Sequence, residues 1–188
     1  MVRRQLPSPP QWDGWVACGL VPGAPLTLLG DSPVRQAIAA QESYRAMVAG
    51  GAPPVTLLEF TLQGDGGKDF YDTSLVDGFN LPASISVQGG SGDCKTSGCP
   101  VDINARCPAQ LQLKNGGGAV VGCKSACEAF NTDEYCCRGS FGTPSTCKPS
   151  SFSMVFKNAC PDAYRFAYDD ASSTFTCTGA DYLITFCP

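Results

Sequence analysis

The stretch KDFYDTSLVDGFNLP (68–82) places Asp72 and Asp77 five residues apart among aromatic and aliphatic neighbours, and Glu59 stands just upstream in TLLEFTL (56–62). Histidine is absent from the whole chain. Ser-His-Asp and Cys-His catalysis are therefore excluded, as is any zinc site containing histidine. Whatever chemistry the chain performs must run on carboxylates. Carboxylates gathered without a local cation repel one another, which raises the pKa of some and can keep one protonated near neutrality. Glycoside hydrolysis needs such a set: one acid to protonate the leaving oxygen and one carboxylate as base or nucleophile. The two lie ~5–5.5 Å apart for retention and ~6.5–9.5 Å apart for inversion. The residues alone also allow a plainer reading. An aspartate before a glycine, as in Val76-Asp77-Gly78, is ordinarily a turn residue, and a glutamate on a strand's polar face is ordinary solvation.

Strands must position these groups. In 56–62, Leu58, Phe60 and Leu62 fall on one face, with Leu57, Glu59 and Thr61 on the other. The run QGDGG (63–67) reads as a turn, so 68–82 supplies the antiparallel partner and a hairpin brings Glu59 beside Asp72. Asp77 poses a harder problem. An odd separation sends Asp72 and Asp77 to opposite faces of a straight strand. Both can line one cleft only if the chain turns or bulges between Ser74 and Gly78.

Elsewhere the elements are short. Residues 33–50 (PVRQAIAAQESYRAMVAG) read as a helix of good helix formers, and 84–123 as short strands between turns. KSACEAFNTDEYCC (124–137) suits one disulfide-bounded helix. In 150–160 a serine cap precedes Phe152, Val155, Phe156 and Ala159 at helical spacing. The last stretch, 172–188, alternates and reads as two strands joined by a turn at Gly179.

Composition narrows the classes further. At 188 residues and 43% hydrophobic content, the chain supports one core, or one with a satellite. A net charge of −4 removes any broad basic field, which disfavours nucleic acid and anionic membrane surfaces. No apolar run reaches the ~20 residues of a membrane span. The start, MVRRQLPSPPQWDGWVACGL, offers prolines and an acid where a signal peptide needs an apolar segment. Of twelve cysteines, ten lie beyond residue 98. That density fits an oxidising compartment, and the spacings lack the paired C-x2-C knuckles usual for zinc, so disulfides are expected.

Several stretches together resemble one family: GAPPVTLLEFTL (51–62), KDFYDTSLVDGFNLP (68–82), CKTSGCPVDINARCP (94–108), CKSACEAFNTDEYCC (123–137) and FKNACPDAYRFAYDDASSTFTC (156–177), ending in ITFCP. The set is similar to the thaumatin-like proteins of pathogenesis-related class 5. The resemblance covers residues 50–188; residues 1–49 form an atypical segment without the family's first strand, arginine-bearing segment or early cysteines. It implies a mainly β fold: a lectin-type β-sandwich, incomplete at the N-terminus, with a disulfide-rich satellite lobe (94–177) containing short helices, and an acidic cleft. It further implies the pairs Cys94–Cys177, Cys99–Cys160, Cys107–Cys123, Cys127–Cys136 and Cys137–Cys147. Cys187 is left either to seek Cys18 or to stay free.

Carried over by position, the resemblance assigns Glu59, Asp72, Asp77 and one of Asp169 and Asp170, with Asp169 favoured, to the cleft; the family's arginine has no matching position. Glu59 and Asp72 would be the catalytic pair if there is turnover. Phe70, Tyr71 and Phe79 are candidates for stacking on sugar rings. The implied function is plant defence: a secreted monomer that binds β-1,3-glucan or another fungal wall polysaccharide, or perturbs fungal membranes. A weak endo-β-1,3-glucanase and a truncated, nonfunctional member are the alternatives. No cofactor, metal or nucleic acid is implied.

Overall fold

The computed structural model describes residues 53–188 and the backbone of a short strand at Leu26–Leu28. The helix expected over 33–50 lies outside them. The strands are β1 (Leu26–Leu28), β2 (Leu57–Thr61), β3 (Asp69–Ser74), β4 (Ala83–Ser91), β5 (Ser97–Cys99), β6 (Gln112–Lys114), β7 (Val120–Cys123) and β8 (Phe175–Phe186). Among the described residues, three α-helices accompany them: α1 (Ala126–Phe130), α2 (Ser151–Ala159) and α3 (Asp170–Ser173).

The fold is mainly β, and β8 organises it. Its first residues, Phe175–Cys177, pair antiparallel with β3, while Thr178–Phe186 run antiparallel to β4 and Tyr182–Ile184 also carry β1. The two strands expected around Gly179 are thus one. Gly179 takes a left-handed φ of +67°, yet no reversal follows, because Thr178 and Ala180 stay paired with Ser91 and Gly89 of β4. The strand runs on through Gly179 and joins β3 to β4 and β1 within one six-stranded sheet.

The side chains of β2, β3, β4 and β8 build an aromatic core. Tyr71 and Tyr182 are buried with ring centroids 5.2 Å apart; Phe60 stands 5.4 Å from Tyr182 and Phe175 6.1 Å from Tyr71. Leu58 and Leu62 pack against the same cluster, so the apolar face of β2 points inward. Burial of each such side chain contributes roughly 1.5–3 kcal/mol, and the tyrosine hydroxyls need partners. Tyr182 donates to Asp69 Oδ2 at 2.9 Å, and Asp69 Oδ1 accepts from Gln63 N at 2.8 Å. The first aspartate of KDFYD is therefore a buried lock on the β2–β3 turn.

The second core belongs to the lobe, where Leu75, Phe79, Ile103, Leu111 and Phe156 pack among cysteines. Disulfides join Cys94–Cys177, Cys99–Cys160, Cys107–Cys123, Cys127–Cys136 and Cys137–Cys147, the same pairs the resemblance implies. Cys187 is also disulfide-bonded, which removes the free-thiol alternative. The serine cap of α2 is real: Ser150 Oγ accepts from Ser153 N at 3.0 Å and Ser153 Oγ accepts from Ser150 N at 2.9 Å. By contrast, the single helix expected over 124–137 shrinks to the five residues of α1. Asn131 turns left-handed at φ 50° and ends it, and the Cys127–Cys136 bridge holds the following residues as turns.

Candidate functional site

Glu59 and Asp72 are cross-strand partners in the β2–β3 register. Their side chains leave the sheet on the face opposite Phe60 and Tyr71, as alternation requires. Beyond Ser74 the strand stops. Gly78 N donates to Leu75 O at 3.0 Å, closing a turn over Leu75–Gly78. Gly78 is required there on two counts: its φ is +89°, and a Cβ would stand 2.6 Å from the Cys123 carbonyl oxygen and 2.7 Å from Pro54 Cβ. Phe79 and Cys123 then exchange backbone hydrogen bonds at 2.8 and 2.7 Å, fixing the far side of the turn to β7. The turn undoes the parity problem. Glu59, Asp72 and Asp77 all border one open cavity of about 490 Å³.

A loop from the lobe supplies the opposite wall. Tyr164 N donates to Thr73 O at 2.8 Å and Leu75 N to Tyr164 O at 2.9 Å, so residue 164 is docked on the end of β3. Its ring lines the cavity, and its hydroxyl bonds Asp170 Oδ1 at 3.0 Å and the Thr174 hydroxyl. Burial, ahead of its hydrogen bonds and neighbouring charges, pushes the Tyr164 hydroxyl up to about 12, so it remains a donor.

The electrostatics centre on Asp72. Its carboxyl is pushed up to about 7, mainly because burial penalises the ionised form; Glu59 adds to this by charge and by direct hydrogen-bonding contact, and Asp170 by charge. Its Oδ1 is buried without a hydrogen-bond partner. Among the described residues, none that lines the cavity is lysine or arginine. No group of three or more histidine, cysteine, aspartate or glutamate residues among those described is placed to hold a metal ion.

Asp169 sits elsewhere. It is buried between Lys157 and Arg165, with ion-pair distances of 2.9 and 3.2 Å, and accepts from Arg165 N and Ser172 Oγ. This knot ties α2 to the 163–173 segment. Neither Asp169 nor Asp170 lines the cavity; the charge that reaches Asp72 is that of Asp170, which accepts from the Tyr164 hydroxyl. Of the three aromatic candidates, Phe70 is half-buried and borders the cavity, whereas Tyr71 and Phe79 are buried in the two cores. Sequence reasoning missed Tyr164 and Ser74. Tyr164 left a signal only in the family-like segment FKNACPDAYRFAYDD, since its place depends on docking to a strand far away in the chain.

A mainly β body, a lobe stapled by disulfides and an open carboxylate-lined cavity bordered by both define a class of disulfide-rich β proteins. The chain belongs to the thaumatin family, whose model matches residues 39–188. Pathogenesis-related protein 5 of Arabidopsis thaliana is 66% identical over 139 residues, which is 74% of this chain and 58% of that protein. Pathogenesis-related thaumatin-like protein 3.5 of Cryptomeria japonica is 62% identical over 140 residues, 74% of this chain and 57% of that one. A Prunus avium protein named glucan endo-1,3-beta-glucosidase is 49% identical over 187 residues, 98% of this chain and 75% of its own length. The chain thus spans under three-fifths of the first two relatives.

Proposed function

We propose that this thaumatin-family chain is a defence protein that binds fungal-wall β-1,3-glucan in the acidic cleft, in an oxidising extracellular setting, without efficient turnover. The observation that carries the reading is the convergence of Glu59, Asp72 and Asp77 on one open cavity also lined by Phe70 and Tyr164. A neutral, hydroxyl-rich polymer donates hydrogen bonds to carboxylates and lays ring faces on aromatics. A cavity lined by acids and, among the described residues, by no cation disfavours anionic polymers.

The Prunus avium relative's name favours a second reading, a weak endo-β-1,3-glucanase with Glu59 and Asp72 as the acid pair. Asp72, holding a proton near neutrality, has the character of a general acid.

Retention on insoluble β-1,3-glucan and reducing-sugar release from laminarin, each with wild type and Glu59→Gln, test the reading. Wild type is expected to be retained, the variant to be retained several-fold less, and neither to release sugar above background. Failure of wild type to bind glucan would overturn the proposal. Release by wild type that the variant loses would establish the glucanase instead.

A further inference from the structure

Val76, Asp77 and Ala167 border the acidic cleft and also a second, smaller hollow of about 70 Å³ in the lobe. Glu134 and Tyr135 line that hollow too. Tyr135 belongs to a cluster of three rings: its centroid lies 5.5 Å from Phe130 and 5.9 Å from Phe152, and Phe130 and Phe152 are 5.0 Å apart. The lobe core accounts for Phe152, which packs against it. It does not account for Phe130, the last residue of α1, which is 37% exposed, and it covers the Tyr135 ring only in part. Large rings left partly open beside a hollow that shares Val76, Asp77 and Ala167 with the cleft are placed to serve recognition as well as packing.

We infer that Phe130 and Tyr135 form an accessory subsite for the same neutral polysaccharide, which leaves the cleft past Asp77 and crosses the small hollow onto the rings. This rests on the glucan-binding reading of the cleft. A pyranose offers an apolar C–H face and a rim of hydroxyls, so its subsite needs an aromatic face beside hydrogen-bond acceptors. Tyr135 supplies the face, and Asp77 and Glu134 supply acceptors at the hollow. The flanking charge does not favour an anionic lipid surface as the occupant: Asp133 and Glu134 are exposed at the cluster, and of the cations nearby Arg138 is engaged with Asp133 at 3.5 Å, Arg165, at the hollow, with Asp169 at 3.2 Å, and Lys148, also at the hollow, donates to the Pro144 carbonyl.

The subsite makes chain length the test. Calorimetric binding of short and long laminari-oligosaccharides to the full chain is compared for wild type, Phe130→Ala with Tyr135→Ala, Tyr135→Phe and Glu59→Gln. The double alanine variant is expected to lose about tenfold in affinity for the long chains alone, with Tyr135→Phe keeping wild-type affinity. Glu59→Gln weakens short and long chains alike. Thermal midpoints show that the variants fold. If the double variant binds both lengths as wild type does, or loses both equally, the subsite is refuted while the Glu59 result leaves the cleft reading standing. If wild type binds neither length, both fall. Ring-dependent binding to neutral phosphatidylcholine vesicles, without the chain-length effect, would overturn the sugar assignment in favour of lipid.

Discussion

Replacing Asp72 by Asn tests the electrostatic account of the cleft directly. The folded protein holds the Asp72 proton up to about pH 7 against an ordinary value of 3.8, so folding favours the neutral acid. Below about pH 4 both folded and unfolded chains are protonated, and Asp72 imposes no penalty. As pH rises toward 7 the unfolded chain ionises first, stability falls, and the full penalty persists above that range. A shift of about three units is worth at most ~4 kcal/mol at ~1.36 kcal/mol per unit. Because the cavity is open and water screens the pair, about 1–2 kcal/mol is the realistic fraction. Asn keeps the shape of the protonated acid and abolishes the charge. Urea unfolding with disulfides intact should show Asp72→Asn equal to wild type at about pH 3.5 and more stable by about 1–2 kcal/mol at about pH 8. The thermal midpoint should rise by roughly 2–8 °C at the higher pH. Glu59→Gln removes one of the two charges and should give a smaller gain over the same range. A gain independent of pH, or one larger in acid, would refute the reasoning, because it would mean that the carboxyl is not held protonated by its surroundings.

Asp169→Ala leaves Lys157 and Arg165 buried without their shared carboxylate, and a loss of about 3–5 kcal/mol in urea unfolding is expected; a loss below about 1 kcal/mol would show the knot to be dispensable. Gly78→Ala forces a Cβ into the Cys123 carbonyl and Pro54 at a left-handed φ, so it should cost at least about 2 kcal/mol and, by displacing Asp77, lower glucan retention. Replacing Cys107 and Cys123 together by serine opens a bridge between residues 16 apart; a drop of about 3 kcal/mol in unfolding free energy checks it.

The sequence by itself determined what depends on near neighbours. The two-residue period of TLLEFTL put Leu58, Phe60 and Leu62 on the core and Glu59 on the other face. The glycine-rich QGDGG closed the hairpin that pairs Glu59 with Asp72. Ser150 announced the start of α2 because a cap is a contact across three residues. The absence of histidine confined any chemistry to carboxylates. Where local pattern misled, it did so at glycine and asparagine: Gly179 lies inside a strand whose partner continues past it, and Asn131 ends a helix that composition alone would extend.

Only the tertiary structure decided which groups share the cleft. Asp77 joins Asp72 because Phe79 is bonded to Cys123 across the chain and Gly78 fits against Pro54. Tyr164 faces the carboxylates because it is bonded to Thr73 and Leu75. Asp169 and Asp170 are adjacent and chemically identical, yet one is neutralised among Lys157 and Arg165 while the other acts on Asp72. Each outcome is set by hydrogen bonds and ion pairs between residues far apart in sequence. A pattern that repeats every two or four residues carries no information about such contacts.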